Sequence, residues 1–124
     1  MKQLAPFVLA LFLVGCASFY QSVITITSVV DAAMKDWAAL SVKGKTSPAI
    51  DNRVTAAHNA YRQAAATAQA ALEAYKASGD QSQYIAALNA AKAAAQGVLD
   101  IIIPLLDQTE ADKLATNLTN AKTL

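Results

Sequence analysis

Apolar residues recur at alternating intervals of three and four positions, and this spacing constrains the fold more than any other feature. Such spacing aligns side chains on one face of an α-helix. Three segments carry it, and we call each set of residues a seam. The first seam is Val23, Ile26, Val30, Ala33, Trp37 and Leu40; the second is Ile50, Val54, Ala57, Tyr61, Ala64, Ala68, Ala71 and Tyr75; the third is Tyr84, Leu88, Ala91, Ala95, Val98 and Ile102. Long seams of this period predict helices packed side by side at a shallow crossing angle.

Capping and breaking residues divide the three segments. Ser47-Pro48 is a cap followed by a proline at the first helical position, and Gly79-Asp80 offers a left-handed stop and then a new cap. Pro104 ends or kinks the third helix because it lacks an N–H, and Thr109 is expected to cap a short terminal helix. The predicted helices cover about 20–42, 48–78, 80–103 and 109–120. The predicted fold is all-α: a small antiparallel three-helix bundle with a short C-terminal helix.

Alanine dominates the second and third helices, where it makes up 19 of the 48 residues from Pro48 to Ala95. It is the best intrinsic helix former, but it buries little area, so these helices must approach closely. We expect bulkier residues to supply most of the core, with the tyrosine hydroxyls reaching the surface. These residues are Trp37, Tyr61, Tyr75, Tyr84 and the apolar cluster within 99–106. The one stretch rich in β-branched residues, 23–30, continues the first seam and is predicted to be helical.

Composition excludes several classes of protein. A net charge of +1 over 124 residues offers no basic stripe for nucleic acid. The single cysteine excludes an internal disulfide, a four-cysteine zinc site and a CxxC redox pair. Residues 1–15 contain one lysine and an apolar run from Phe7 to Val14, which is far shorter than the roughly 20 residues of a spanning helix. This pattern predicts an export signal rather than a permanent membrane span.

The end of that signal, Leu13-Val14-Gly15-Cys16, resembles the lipobox of bacterial lipoproteins. The resemblance implies that Cys16 receives a diacylglycerol, that signal peptidase II cleaves before it, and that the new amino terminus is often acylated as well. It therefore implies a signal peptide over 1–15. The length and the helical seams of the remainder predict a single helical domain over 16–124. Ala17, where aspartate would favour retention in the inner membrane, implies the outer membrane, facing the periplasm. The alternative is cleavage elsewhere by an ordinary signal peptidase, with Cys16 as an apolar residue of the signal.

A second resemblance, over about Val29 to Tyr75, is to short helical lipoproteins carried by phages and prophages. The residues that carry it are Val29-Val30-Asp31-Ala32-Ala33-Met34 and Trp37, which open a helical region. This resemblance implies a role in host lysis or in blocking a second infection.

The chemistry-bearing residues do not form a recognisable catalytic or metal site. Gly44-Lys45-Thr46 ends like a phosphate-binding loop but lacks its leading glycine and follows a helix, so it is interpreted as a helix-ending turn. The lone histidine, His58, is expected in solvent, without a second zinc ligand or a nucleophile. The acidic residues Asp100, Asp107, Glu110 and Asp112 lack the spacing of a calcium loop and are expected to cap helices or face solvent.

The sequence therefore predicts no catalytic residue, no cofactor and no metal, with Cys16 as the only modified residue. The function it favours is a membrane-anchored, non-enzymatic lipoprotein that contacts another envelope protein. The alternative is a small helical protein of the periplasm that binds an apolar ligand between its helices. Narrow alanine seams disfavour this alternative because they close the space that a ligand needs. A ligand groove lined by Tyr61, Tyr75 and Tyr84 is a separate alternative to the packing of these side chains in the core.

Overall fold

The computed structural model describes the backbone of residues 4–123 and the side chains of residues 21–123. In that range the chain forms four α-helices and one short 3₁₀ turn, and it contains no strand. The helices are α1 (Leu4–Val42), α2 (Pro48–Ser78), α3 (Ser82–Ile102) and α4 (Gln108–Lys122), with the 3₁₀ turn at Ile103–Leu105. The all-α prediction is confirmed, and the β-branched stretch 23–30 lies within α1. That helix begins well before residue 20 because the leucines and alanines of the apolar run are themselves good helix formers.

Helix α2 begins and ends where the sequence predicts. The Ser47 hydroxyl accepts a hydrogen bond from the Ile50 N–H at 3.2 Å, and Pro48 occupies the first helical position. At the other end Gly79 adopts the left-handed conformation, with φ 76°, and its N–H donates to the Tyr75 carbonyl at 2.8 Å. Only three residues, 79–81, separate α2 from α3, so the two helices fold back as an antiparallel hairpin.

The predicted caps of α3 and α4 are displaced by one and two residues. Gln81, not Asp80, is the N-cap of α3, although the Asp80 carboxylate accepts from the Ser82 N–H at 3.0 Å. Asp107, not Thr109, caps α4, and it accepts from the Glu110 N–H at 2.9 Å. The 3₁₀ turn around Pro104 leaves Asp107 as an extended residue directly before the new helix, which is the conformation an N-cap requires.

The core lies where the seams of α1, α2 and α3 meet, and α4 covers α1 from another side. All six residues of the third seam are buried, whereas the first and second seams are buried in part and half-buried elsewhere. The remaining core residues come from α4 and from positions between the seams. They are Val29, Leu72, Leu99, Leu114, Leu118 and Ala121. Among the seam alanines of α2 and α3, Ala68, Ala91 and Ala95 are buried, whereas Ala57, Ala64 and Ala71 are half-buried against the same core.

Two tyrosines are more deeply buried than the sequence predicts. The expectation that their hydroxyls reach the surface is wrong for Tyr61 and Tyr84, whose side chains are 3% and 0% exposed. Burial raises the pKa of Tyr84 to about 12, because a phenolate would lose its hydration there. Its hydroxyl is therefore a neutral group of the core at physiological pH.

Candidate functional site

Two long-range hydrogen bonds fix how α1 and α2 lie against each other. The hydroxyls of Thr27 and Tyr61 are 2.6 Å apart, and the Trp37 indole N–H donates to the Asp51 carboxylate at 2.8 Å. Trp37 is half-buried. Its indole N–H is hydrogen-bonded to Asp51, while its ring packs against the core. These contacts hold the two helices antiparallel.

An open cleft of about 350 Å³ lies beside the first of these bonds, and we call it the α1–α2 cleft. It is lined by Thr27, Asp31, His58, Tyr61, Arg62, Ala65, Ala66 and Gln69. Helix spacing explains the grouping, because residues three, four and seven apart share one face of α2. The small side chains of Ala65 and Ala66 leave the space that the polar residues surround.

The charged side chains of this cleft do not form an ion pair with each other. Asp31 and Arg62 are exposed, and the only ion pair within residues 21–123 joins Lys76 to Glu73 at 3.3 Å. The hydroxyl of Tyr61 stays neutral, since burial raises its pKa and the Asp31 carboxylate raises it further, against the lowering effect of the Thr27 hydrogen bond. An acid, a guanidinium and an imidazole thus face one concavity with their hydrogen-bonding capacity open.

The sequence placed His58 in solvent and did not group it with Asp31 and Arg62. His58 is half-buried and lines the α1–α2 cleft. Within the part of the chain whose side chains are described, no hydrogen bond joins it to a hydroxyl or a carboxylate, so the geometry of an activated nucleophile is not assembled there. The residues of the α1–α2 cleft can instead bind charged or polar groups of a partner molecule.

A second concavity, the α1–α4 groove, has a different character. It measures about 330 Å³ and is walled mainly by apolar surface, with two asparagines on the α4 side. Its lining residues are Thr25, Ser28, Val29, Ala32, Asn117, Asn120 and Ala121. The groove is open to solvent, so a small molecule bound there would not be enclosed.

The other motifs serve local structure. Gly44, with φ 70°, ends α1, and the Lys45 N–H donates to the Leu40 carbonyl at 2.9 Å, so the Gly-Lys-Thr triplet is a helix-ending turn as predicted. Asp100 and Asp112 each accept from a glutamine four residues earlier, at 2.7 Å. Over residues 21–123 no three metal-binding side chains come together. Cys16 belongs to α1, but its side chain lies outside the described residues.

One segment of the described chain, Ser82–Leu105, is long and apolar enough to cross a membrane by length and composition alone. It has a mean hydropathy of 1.3 over its best window. The same segment supplies the third seam, which is buried against the other helices. Of its most apolar window, 39% is buried inside the protein, so packing in the core accounts for part of its apolar character.

A scan of protein-family models, a search of curated proteins and a search of solved structures each gave no match to this chain. Its function is therefore argued from its own residues.

Proposed function

We propose that this protein is a non-enzymatic lipoprotein, anchored through acylated Cys16, that contacts another protein of the cell envelope. The observation that carries the proposal is the position of the chain's single cysteine at the end of the lipobox Leu13-Val14-Gly15-Cys16. Two or three acyl chains would anchor the protein stably, since each buried methylene contributes about 0.8 kcal/mol. Outer-membrane attachment facing the periplasm, and carriage by a phage or prophage with a role in lysis or exclusion, belong to the same proposal.

The surface we propose for the partner is the α1–α2 cleft. Removal of residues 1–15 takes away Lys2 and leaves nine positive and nine negative side chains, so long-range attraction by net charge cannot guide association. Recognition must then depend on local pairing. Asp31 and Arg62 offer one charge of each sign, without an intramolecular ion partner among residues 21–123, in a concavity on the side of the bundle. Charges placed in this way give specificity and register to a contact.

Replacing Cys16 by serine should abolish membrane attachment, because a serine hydroxyl is not a substrate for thioether formation. Metabolic labelling with a palmitate analogue, followed by flotation of the membranes, measures both effects. We expect label and flotation for the native chain and neither for Cys16→Ser. Ala17→Ser, which leaves the cysteine in place, is the control and should behave as the native chain does. Equal labelling of the native and Cys16→Ser proteins would refute the anchor.

The partner surface can be tested with a photo-reactive phenylalanine analogue incorporated at Arg62 in living cells. We expect one discrete cross-linked envelope protein. Arg53 is the matched control, because nine residues along a helix of about 3.6 residues per turn place it on the opposite side of α2. Cross-linking from position 53 as strong as from position 62 would contradict the assignment of the cleft.

The α1–α4 groove favours a second candidate function, the binding of a small apolar molecule. Its volume of about 330 Å³ lies at the lower end of the range for ligand pockets, about 300–1,000 Å³. The groove is open, and the buried alanines of the helix seams leave no room between α2 and α3. Saturable uptake of an apolar dye by the native protein, lost in Ala32→Leu and kept in Ala39→Leu, would favour this candidate over the first.

A further inference from the structure

The register of α1 against α2 determines which part of the bundle lies near the lipid anchor. Thr27 pairs with Tyr61, and Trp37, ten residues further along α1, pairs with Asp51, ten residues back along α2. The two helices therefore run antiparallel, and moving one residue forward along α1 corresponds to moving one residue back along α2. In this register Cys16, eleven residues before Thr27, is level with Leu72, eleven residues after Tyr61.

Helix α2 continues past that level. It ends at Ser78, six residues beyond Leu72, and at about 1.5 Å per residue this carries its end about 9 Å past the level of Cys16. The turn 79–81 and the first residues of α3 lie at the same end. We call residues 75–85 the hairpin tip. The tip thus lies beyond the level of Cys16, at the end of the bundle where the mature chain begins.

Resting on the proposed lipid anchor, we propose that the hairpin tip is seated in the headgroup layer of the bilayer and holds the bundle upright on the membrane. The headgroup layer is about 5–8 Å thick on each side of the hydrocarbon core, which is close to the distance by which the tip passes Cys16. With the anchor at Cys16, the register of the two helices therefore brings this end of the bundle to the lipid surface.

The composition of the tip fits that environment. Lys76 and Asp80 give it one charge of each sign, so an anionic surface does not repel it. Tyr75 is half-buried near the end of α2, and tyrosine is favoured at the membrane interface. Ile85 is one of three large apolar side chains exposed within residues 21–123, at 43%, and it lies on the α3 side of the tip.

Three backbone donors at the turn bond to groups within the tip. The Gly79 N–H bonds to Tyr75, the Asp80 N–H bonds to the Ser78 hydroxyl at 3.2 Å, and the Ser82 N–H bonds to the Asp80 carboxylate. Exposed, hydrogen-bonded polar groups of this kind suit headgroups rather than hydrocarbon. The tip is therefore expected to stop at the boundary between the two.

The test uses the full lipidated protein in vesicles of phosphatidylethanolamine and phosphatidylglycerol. Because acylation converts the Cys16 thiol to a thioether, Ile85→Cys introduces a single thiol that can carry an environment-sensitive fluorophore. Val42→Cys is the matched control, since Val42 is 89% exposed and lies 26 residues from Cys16, about 39 Å along α1. Circular dichroism before reconstitution checks that both variants are as helical as the native chain.

We expect spin-labelled lipid to quench the probe at position 85 several-fold more than the probe at position 42, and aqueous iodide to show the reverse order. If the vesicles float with bound protein but iodide quenches both probes equally, the anchor stands and the seated tip is overturned. Equal quenching of both probes by lipid would also overturn it, because the bundle would then lie flat. If no protein floats with the vesicles, the anchor itself fails, and the inference fails with it.

Discussion

Replacing Leu99 by alanine is expected to lower the free energy of unfolding by about 2–5 kcal/mol, the range for a truncated leucine in a closely packed core. Leu99 has no exposed surface and lies on α3 between the buried Val98 and Ile102. The substitution removes apolar contacts and leaves a cavity that rigid neighbouring helices cannot fill. Small domains are stable by only about 5–15 kcal/mol, so the loss would be a large share of the total.

Urea denaturation of the protein lacking residues 1–16, followed by circular dichroism, measures this effect. Val42→Ala is the control, because Val42 is 89% exposed and its truncation should change the free energy of unfolding by less than about 0.5 kcal/mol. Similar losses for the two variants would mean that Leu99 is not in a closely packed core.

Replacing Ala95 by leucine should also destabilise the bundle, by the opposite mechanism. Ala95 is completely buried on the third seam, where its small side chain lets α3 pack closely against the neighbouring helices. Three further carbon atoms at such a site force side chains and backbone apart, at a typical cost of about 1–3 kcal/mol. The thermal midpoint should therefore fall by several degrees.

Ala93→Leu provides the comparison for that experiment. Ala93 lies two residues earlier on the same helix, where its side chain is exposed. Leucine and alanine have similar helix propensities, so this variant should melt close to the native protein. If Ala95→Leu is as stable as Ala93→Leu, the helices have spare volume between them, and binding of an apolar ligand becomes the better account of the function.

Features set by nearby residues could be predicted from the sequence. Both ends of α2 follow from Ser47-Pro48 and Gly79, because a cap and a left-handed glycine act within one turn of the chain. The third seam is buried throughout, since its period matches a helix whose partners lie along its whole length. The sequence predicts the N-cap of α4 at Thr109, two residues beyond its position at Asp107, because aspartate and threonine are both good caps. The 3₁₀ turn at Pro104, a three-dimensional feature, decides between them.

Features set by the pairing of helices could not be predicted in this way. The α1–α2 cleft brings Asp31 together with His58 and Arg62, which are 27 and 31 residues further along the chain. Their grouping depends on the register that the Thr27 and Tyr61 hydroxyls fix, and no periodic pattern in one segment encodes it. The complete burial of Tyr84 has the same origin, because a seam shows which face is apolar but not how much of a long side chain the neighbouring helices cover.

The short turn between α2 and α3 also orders the assembly of the bundle in time. Closing a three-residue connection costs little chain entropy, whereas α1 and α4 meet only after a loop of many tens of residues has closed. The alanine-rich hairpin is thus the low-contact-order part of the fold, from which rapid folding is expected. Helix α4 has three buried side chains and α3 has seven, so local opening of α4 from the folded protein is expected to cost less than opening of α3.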